Sequence, residues 1–317
     1  MVFHRRCIAV SACGLLFALA GCDQVFGLDP IPDEPARFRD LVINEVANEL
    51  VVDGEDVFWL TAHEIRSCQL AACSPRTLLA GLAMPVALRV VGDQVQYAEA
   101  LEVYRVPRIG GAQSLVVPAT GNGQSITSFL QLQNRLYFTH HRISRCNYDP
   151  AGLCAATSAM FDEIVGPIVA DPSQRIWGGG TSAAGQSGVY VITGADQLQL
   201  VSTSAAPVRA IAASAPRVFA IQTTAADVLE WPATAAPGTQ PTVAMFVTAP
   251  SALAVDASTV WAASSEGEVW RRRLGGGPEE TVLVLKDSVV IRALAVGTDE
   301  AIVALDDRIA AFDVPAL

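Results

Sequence analysis

Residues 251–287, SALAVDASTVWAASSEGEVWRRRLGGGPEETVLVLKD, read as four short strands with turns between them. Leu253–Val255 is apolar and closes on Asp256, a turn former. Val260-Trp261-Ala262 is bulky and β-prone, and Ser264-Ser265-Glu266-Gly267 is a turn. Val269-Trp270-Arg271 alternates apolar with polar. Gly275-Gly276-Gly277-Pro278 then breaks the chain before a fourth strand at Thr281–Leu285. Short β-prone runs bounded by Gly, Pro, Ser and Asp signal antiparallel sheet.

The same plan recurs along the chain. The residue closing the first strand is Asp53, Gly92, Gln133, Asp171, Ser214, Asp256 and Gly297. The bulky residue of the second strand is Phe58, Tyr97, Tyr137, Trp177, Phe219, Trp261 and Val303, at steps of 39, 40, 40, 42, 42 and 42 residues. The third strand is opened by Ile65, Val103, Ile143, Val189, Val228, Val269 and Ile309. Three series in step at about 40 residues mark a four-stranded propeller blade. One such sheet cannot bury both faces alone, so neighbours must stack on each side. Small residues in the first strands (Ala212, Ala213, Ala252, Ala254, Ala295) suit the crowded axis, and the aromatics suit the wider part of each wedge.

Leu253-Ala254-Val255-Asp256, Val260-Trp261, Val269-Trp270-Arg271 and Gly275-Gly276 resemble YWTD-type and NHL-type propeller repeats over roughly residues 48–317. No unit carries an intact Tyr-Trp-Thr-Asp, and the Gly-His and Trp-Asp pairs of WD40 repeats are missing. The resemblance implies an all-β propeller. Seven units are counted, with six or eight blades as the alternatives, since those families are usually six-bladed.

The final unit supplies only three strands, at Ile291–Val296, Ala301–Leu305 and Ile309–Val314. A spare strand, Asp40–Ile43, precedes the first unit. Pairing the two would close the ring and hide a sheet edge. The expected organisation is a leader over residues 1–21, a tether over 22–39 and a propeller over 40–317. In the leader, Arg5 and Arg6 precede an apolar run, Ile8–Ala20, too short to span a bilayer. It ends in Leu19-Ala20-Gly21-Cys22, which resembles the lipobox of bacterial lipoproteins. The resemblance implies acylation of Cys22 and attachment to a membrane of the bacterial envelope, inner or outer. Each buried methylene contributes about 0.8 kcal/mol, so several acyl chains hold where one would not. Residues 23–39, with Pro30, Pro32 and Pro35 among acids, read as an extended segment of at most about 60 Å.

Four cysteines follow Cys22 in two close pairs, Cys68 with Cys73 and Cys146 with Cys154. Each brackets the turn between the third and fourth strands of its unit. In an exported protein such pairs are expected to be local disulfides, each contributing about 2–2.5 kcal/mol on the chain-entropy model. A four-cysteine metal site fits poorly, because the spacings are not those of zinc motifs and the pairs lie two units apart.

The turns between second and third strands share one rim. They bring His63 and Glu64, Glu99 and Glu102, His140 and His141, Asp227, Glu266 and Glu268, and Asp306 with Asp307. Imidazoles and carboxylates converging on a channel mouth can hold a cation or a basic ligand. The plainer account is that turns are polar because they are wet, and that adjacent histidines in a strand point to opposite faces. No cofactor is expected beyond such a cation.

Gly178-Gly179-Gly180 and Gly275-Gly276-Gly277 are not followed by Lys-Ser/Thr and open no helix, which excludes phosphate loops. No Gly-x-Ser-x-Gly, His-Glu-x-x-His or EF-hand loop is present. Arg271-Arg272-Arg273 reads as a solvated basic spot, and Phe58-Trp59 and Trp231 as packing between blades. The net charge of −11 repels a phosphate polymer, so nucleic acid is not an expected partner. The expected role is a monomeric, non-catalytic binding or scaffold module for a protein or small ligand. Propeller lipoproteins of outer-membrane protein assembly offer a fold-level analogy. The competing class is a propeller lyase or hydrolase with its site at the channel mouth, metal-assisted or not.

Overall fold

The computed structural model describes residues 38–119, 125–140, 142–149, 152–161, 166–181, 185–193, 197–204, 206–223, 226–285 and 289–314. Its strands belong to one compact unit, Ala36–Leu317. The leader and Cys22 lie outside the described residues.

The chain enters through β1 (Phe38–Ile43) and then lays down six sheets of four consecutive strands. Blade 1 is β2 (Glu49–Asp53), β3 (Asp56–Leu60), β4 (Glu64–Gln69) and β5 (Arg76–Ala80). Blade 2 is β6 (Pro85–Val91), β7 (Gln94–Glu99), β8 (Glu102–Pro107) and β9 (Ser114–Val117). Blade 3 is β10 (Ser128–Leu132), β11 (Arg135–Thr139), β12 (Ile143–Tyr148) and β13 (Cys154–Phe161). Blade 4 is β14 (Ile168–Ala170), β15 (Ile176–Thr181), β16 (Ser187–Ile192) and β17 (Leu198–Thr203). Blade 5 is β18 (Val208–Ser214), β19 (Arg217–Gln222), β20 (Asp227–Pro232) and β21 (Thr242–Phe246). Blade 6 is β22 (Pro250–Val255), β23 (Thr259–Ser264), β24 (Glu268–Arg273) and β25 (Glu280–Val284). Blade 7 is β26 (Ala293–Val296), β27 (Glu300–Ala304), β28 (Arg308–Asp313) and, outermost, β1.

The fold is therefore a seven-bladed propeller closed by its own first strand, as the count of strands required. β1 runs antiparallel to β28, pairing Phe38 with Phe312 through Ile43 with Arg308. It begins at Phe38, two residues before the expected Asp40. Arg39 explains the extension: its guanidinium grips both carboxylate oxygens of Glu300 at 2.7 and 2.6 Å and donates to the Leu70 carbonyl at 2.9 Å.

Each interface between neighbouring blades is one apolar cluster. Phe58 turns toward blade 2, beside Leu88 and Tyr97, while its neighbour Trp59 turns toward blade 7, beside Ile302, Ile309 and Ala311. Successive side chains on a strand face opposite ways, and here both faces are buried. Blades 6 and 7 meet through Trp261, Val269, Val303 and Phe312, and blades 4 and 5 through Trp177, Val218 and Trp231. Phe58, Trp59 and Trp231 are inter-blade packing residues, as expected. At the blade 4–5 contact the Val208 side chain sits against the backbone of Gly179. A Cβ on Gly179 would lie 2.3 Å from the Val208 side chain, which accounts for the middle glycine of the run.

A register shift recurs between the third and fourth strands of every blade. It falls between Ile65 and Arg66, Val103 and Tyr104, Ile143 and Ser144, Val189 and Tyr190, Val228 and Leu229, and Val269 and Trp270. In blade 7 the equivalent shift lies on β1 between Asp40 and Val42, opposite Ile309 and Ala310. Such a bulge bends the outer strand and tightens its twist. β1 thus carries the same device as the fourth strands of the other blades.

Both disulfides form between third and fourth strands: Cys68–Cys73, with Cα atoms 4.9 Å apart, and Cys146–Cys154, at 5.5 Å. One reading of the basic run is corrected. Arg271 is not solvated: only 3% exposed, it lies over the Trp261 ring and pairs with Glu280 at 2.9 Å. Strand alternation turns this middle arginine inward, where the guanidinium is paired.

A chain beginning at Ala36 should keep the thermal midpoint of the full chain. One beginning at Asn44 loses β1 and the burial of Leu41 and Val42, on the order of 3–6 kcal/mol, together with the pairing of the blade 7 edge. Calorimetry and light scattering should show a lower midpoint and aggregation; equal midpoints would refute the closure.

Candidate functional site

Backbone bonds show which turns and connections share the expected rim. The turn after β3 meets the β5–β6 connection, where Leu82 N donates to the His63 carbonyl at 3.0 Å. The turn after β7 meets the connection into β10 through Ile126 N and the Ala100 carbonyl, at 2.7 Å. The turn after β27 meets the β1–β2 connection through Glu45 N and the Asp307 carbonyl, at 2.9 Å.

Most of the described rim side chains are occupied locally. His63, an exposed residue, donates from Nδ1 to the Leu82 carbonyl at 3.0 Å. Glu64 lies 3.7 Å from Arg66 and accepts from the Thr77 hydroxyl. Glu99 accepts from the Ala83 amide and Glu102 from the Tyr104 hydroxyl. His140 is buried, its Nε2 3.0 Å from Ser144 Oγ and its ring tilted against Phe138. His141 lies outside the described residues. Glu268 accepts from Trp270 Nε1 at 3.2 Å, and Asp306 pairs with Arg292 at 2.8 Å. Asp307 pairs with Arg308 at 2.9 Å, and the guanidinium's hydrogen bond holds its carboxyl below the usual range. Asp227 and Glu266 stand on separate blades. Among the described residues, no three His, Cys, Asp or Glu side chains gather as a metal site.

A concavity lies at the opposite ends of the strands, between blades 1 and 2. Its volume is about 650 Å³. One wall is the end of β4, the short 3₁₀ turn Leu70–Ala72 and Ser74 to Arg76; the other is Asp93 and Pro107 to Ile109, with Asp56 and Arg108 between. The Cys68–Cys73 bond closes the 3₁₀ turn, and Arg39 braces it through the Leu70 carbonyl. Arg108 ties Asp53 at 2.6 Å and Asp56 at 3.1 Å while lying 5.0 Å from the centre of the Phe58 ring. Only the paired cysteines marked this place in the sequence. The remaining walls come from turns of two blades, which no local pattern joins.

Three tyrosines have raised pKa values. Tyr104 is pushed up to about 12, chiefly by its hydrogen bond to Glu102, and Tyr148 to about 12, chiefly by burial. Burial raises Tyr97 as well, with the nearby Glu99 charge adding to it.

No family model matches the chain, and no curated protein matches its sequence. Solved structures do. Virginiamycin B lyase from Staphylococcus aureus is 13% identical over 88% of this chain and 99% of its own, with a TM-score of 0.71. A catalytically inactive histidine-to-alanine form of that lyase, with quinupristin, matches at 14% identity over the same shares, with a TM-score of 0.70. YCF48 bound to D1 peptide is 13% identical over 90% of this chain and 97% of its own, at 0.65. These likenesses establish the fold. They join a lyase and a peptide-bound propeller on one architecture.

In the folded chain Tyr104 and Tyr148 ionise near about 12 rather than at the ordinary 10.0. A raised phenol pKa contributes stability that is full below the unfolded value and lost as pH rises through the folded one. Urea midpoints should therefore fall between about pH 10 and pH 12. Tyr148→Phe should make that fall shallower; an unchanged slope would refute the buried-phenol assignment.

Proposed function

We propose that this chain is an exported, lipid-anchored binding module whose propeller holds a ligand or protein partner without transforming it. The observation that carries this reading is the contrast between its two faces. The acids and imidazoles on the rim are mostly tied within their own blades, while in the inter-blade groove Asp93 has no side-chain partner among the described residues and Ile109 stands exposed. A catalytic cluster needs convergent groups; a binding site needs a shaped cleft with a few open polar groups.

The burial of His140 supports the same side. The S. aureus lyase is catalytically inactive once a single histidine is replaced by alanine. Here His140 is enclosed with Ser144; His63 bonds the Leu82 carbonyl through Nδ1 alone, and His141 lies outside the described residues. The propeller enzyme remains the second reading because the lyase shares the architecture.

The leader and Leu19-Ala20-Gly21-Cys22 support anchoring in a bacterial envelope through acylated Cys22. Labelled palmitate should enter the wild-type protein and not Cys22→Ser, which should move to the soluble envelope fraction or keep its leader. Absence of label from the wild type would refute the anchor. Gentle extraction from membranes should bring a stoichiometric partner or ligand with the protein. Turnover of a bound ligand, with or without metal, would replace the binding reading by the enzymatic one.

A further inference from the structure

The groove between blades 1 and 2 carries its own charge balance. Its lining holds two guanidiniums, Arg76 and Arg108, and two carboxylates, Asp56 and Asp93. Arg108 is satisfied by Asp53 and Asp56. Arg76 has no acid partner among the described residues. Its Nη2 donates to the Arg108 carbonyl at 2.9 Å and reaches Ser67 Oγ at 3.4 Å, leaving Nη1 and Nε open. The Asp93 side chain has no partner among the described residues, while its backbone carbonyl accepts from Arg108 N at 2.9 Å. The backbone of one residue, Arg108, therefore touches both Arg76 and the Asp93 peptide. Arg76, without an acid partner among the described residues, and Asp93 thus line the two walls of one groove.

The rest of the lining is equally specific. Ile109 is 80% exposed beside Pro107 and Ala72, an apolar shelf with nothing packed on it. Gln69 and Ser74 have no side-chain partner among the described residues, and each can both donate and accept. That combination matches peptide groups, which present one N–H and one C=O per residue. The volume of about 650 Å³ lies in the usual range for small-ligand sites. The disulfide and the Arg39 brace hold one wall in place before any ligand arrives, which reduces the ordering cost of binding.

We propose that this groove binds a short peptide with free ends, its ammonium against Asp93, its carboxylate against Arg76 and an apolar side chain on Ile109. The proposal rests on the binding-module reading and names its ligand class. A zwitterion meets both open charges at once, whereas a simple anion or cation leaves one wall unpaired.

The test is calorimetric titration of the full chain in detergent with trileucine, its N-acetylated form and its C-amidated form. Trileucine should bind saturably at one site, and blocking either end should weaken binding about ten-fold or more, the scale of one charge-assisted hydrogen bond. Asp93→Asn should abolish the penalty for N-acetylation alone, and Arg76→Gln the penalty for amidation alone. Both side chains are exposed, so the variants should fold with unchanged midpoints. No saturable binding, equal affinity for doubly blocked peptide, or unchanged penalties in the variants would overturn the assignment. A partner that co-extracts from membranes with the wild type while trileucine fails to bind refutes the groove and leaves the binding module standing. Hydrolysis of trileucine would overturn both.

Discussion

The antiparallel ladder between Phe38–Ile43 and Arg308–Asp313 turns seven sheets into a ring. Without it, blade 7 ends in an unpaired row of backbone donors and acceptors, and the cluster joining it to blade 1 loses Leu41 and Val42. Propeller blades have no stable isolated form, because each buries its two faces only against its neighbours. A break at one seam therefore withdraws support from the blades on either side. The Arg39–Glu300 pair and the Leu70 bond tie this same strand to blades 7 and 1, so the seam also steadies one wall of the groove.

Within the ring, two local devices repeat. The bulge after each third-strand marker bends the outer strand, so that a flat sheet becomes a wedge that fits its neighbour. The acids at first-strand ends clasp tryptophans of the second strand. Asp171 accepts from Trp177 Nε1 at 3.0 Å and Asp256 from Trp261 Nε1 at 2.9 Å. Asp256 also caps its own turn through the amides of Ser258 and Thr259. One carboxylate thus shapes the turn and satisfies a largely buried indole N–H. This explains why the motif joins a strand-closing Asp to an aromatic a few residues on.

The candidate site follows from the same geometry. Rim turns are held apart by the width of the ring, so Glu64, Glu102, His140, Glu268, Asp306 and Asp307 each bond inside their own blade. Adjacent blades, by contrast, come together along their whole height. A groove between two of them collects side chains distant in sequence, from Asp56 to Ile109.

What could be read from residues alone was whatever repeats locally. The strand order, the period of about 40 residues, the three-strand final unit and the two hairpin cysteine pairs all depend on neighbours in the chain, and the structure has each of them. The seven-fold count followed from the same marker residues. Only the tertiary structure decided what depends on stacking: the bulge that each outer strand carries, the start of β1 at Phe38, and the burial of Arg271 under a basic-looking surface. It also separated the rim residues and placed Arg76 and Asp93 in the lining of one groove. Sequence pattern records which way a side chain points from its own strand; which group it meets across a blade interface depends on the tilt and spacing of two sheets, and no single repeat encodes that.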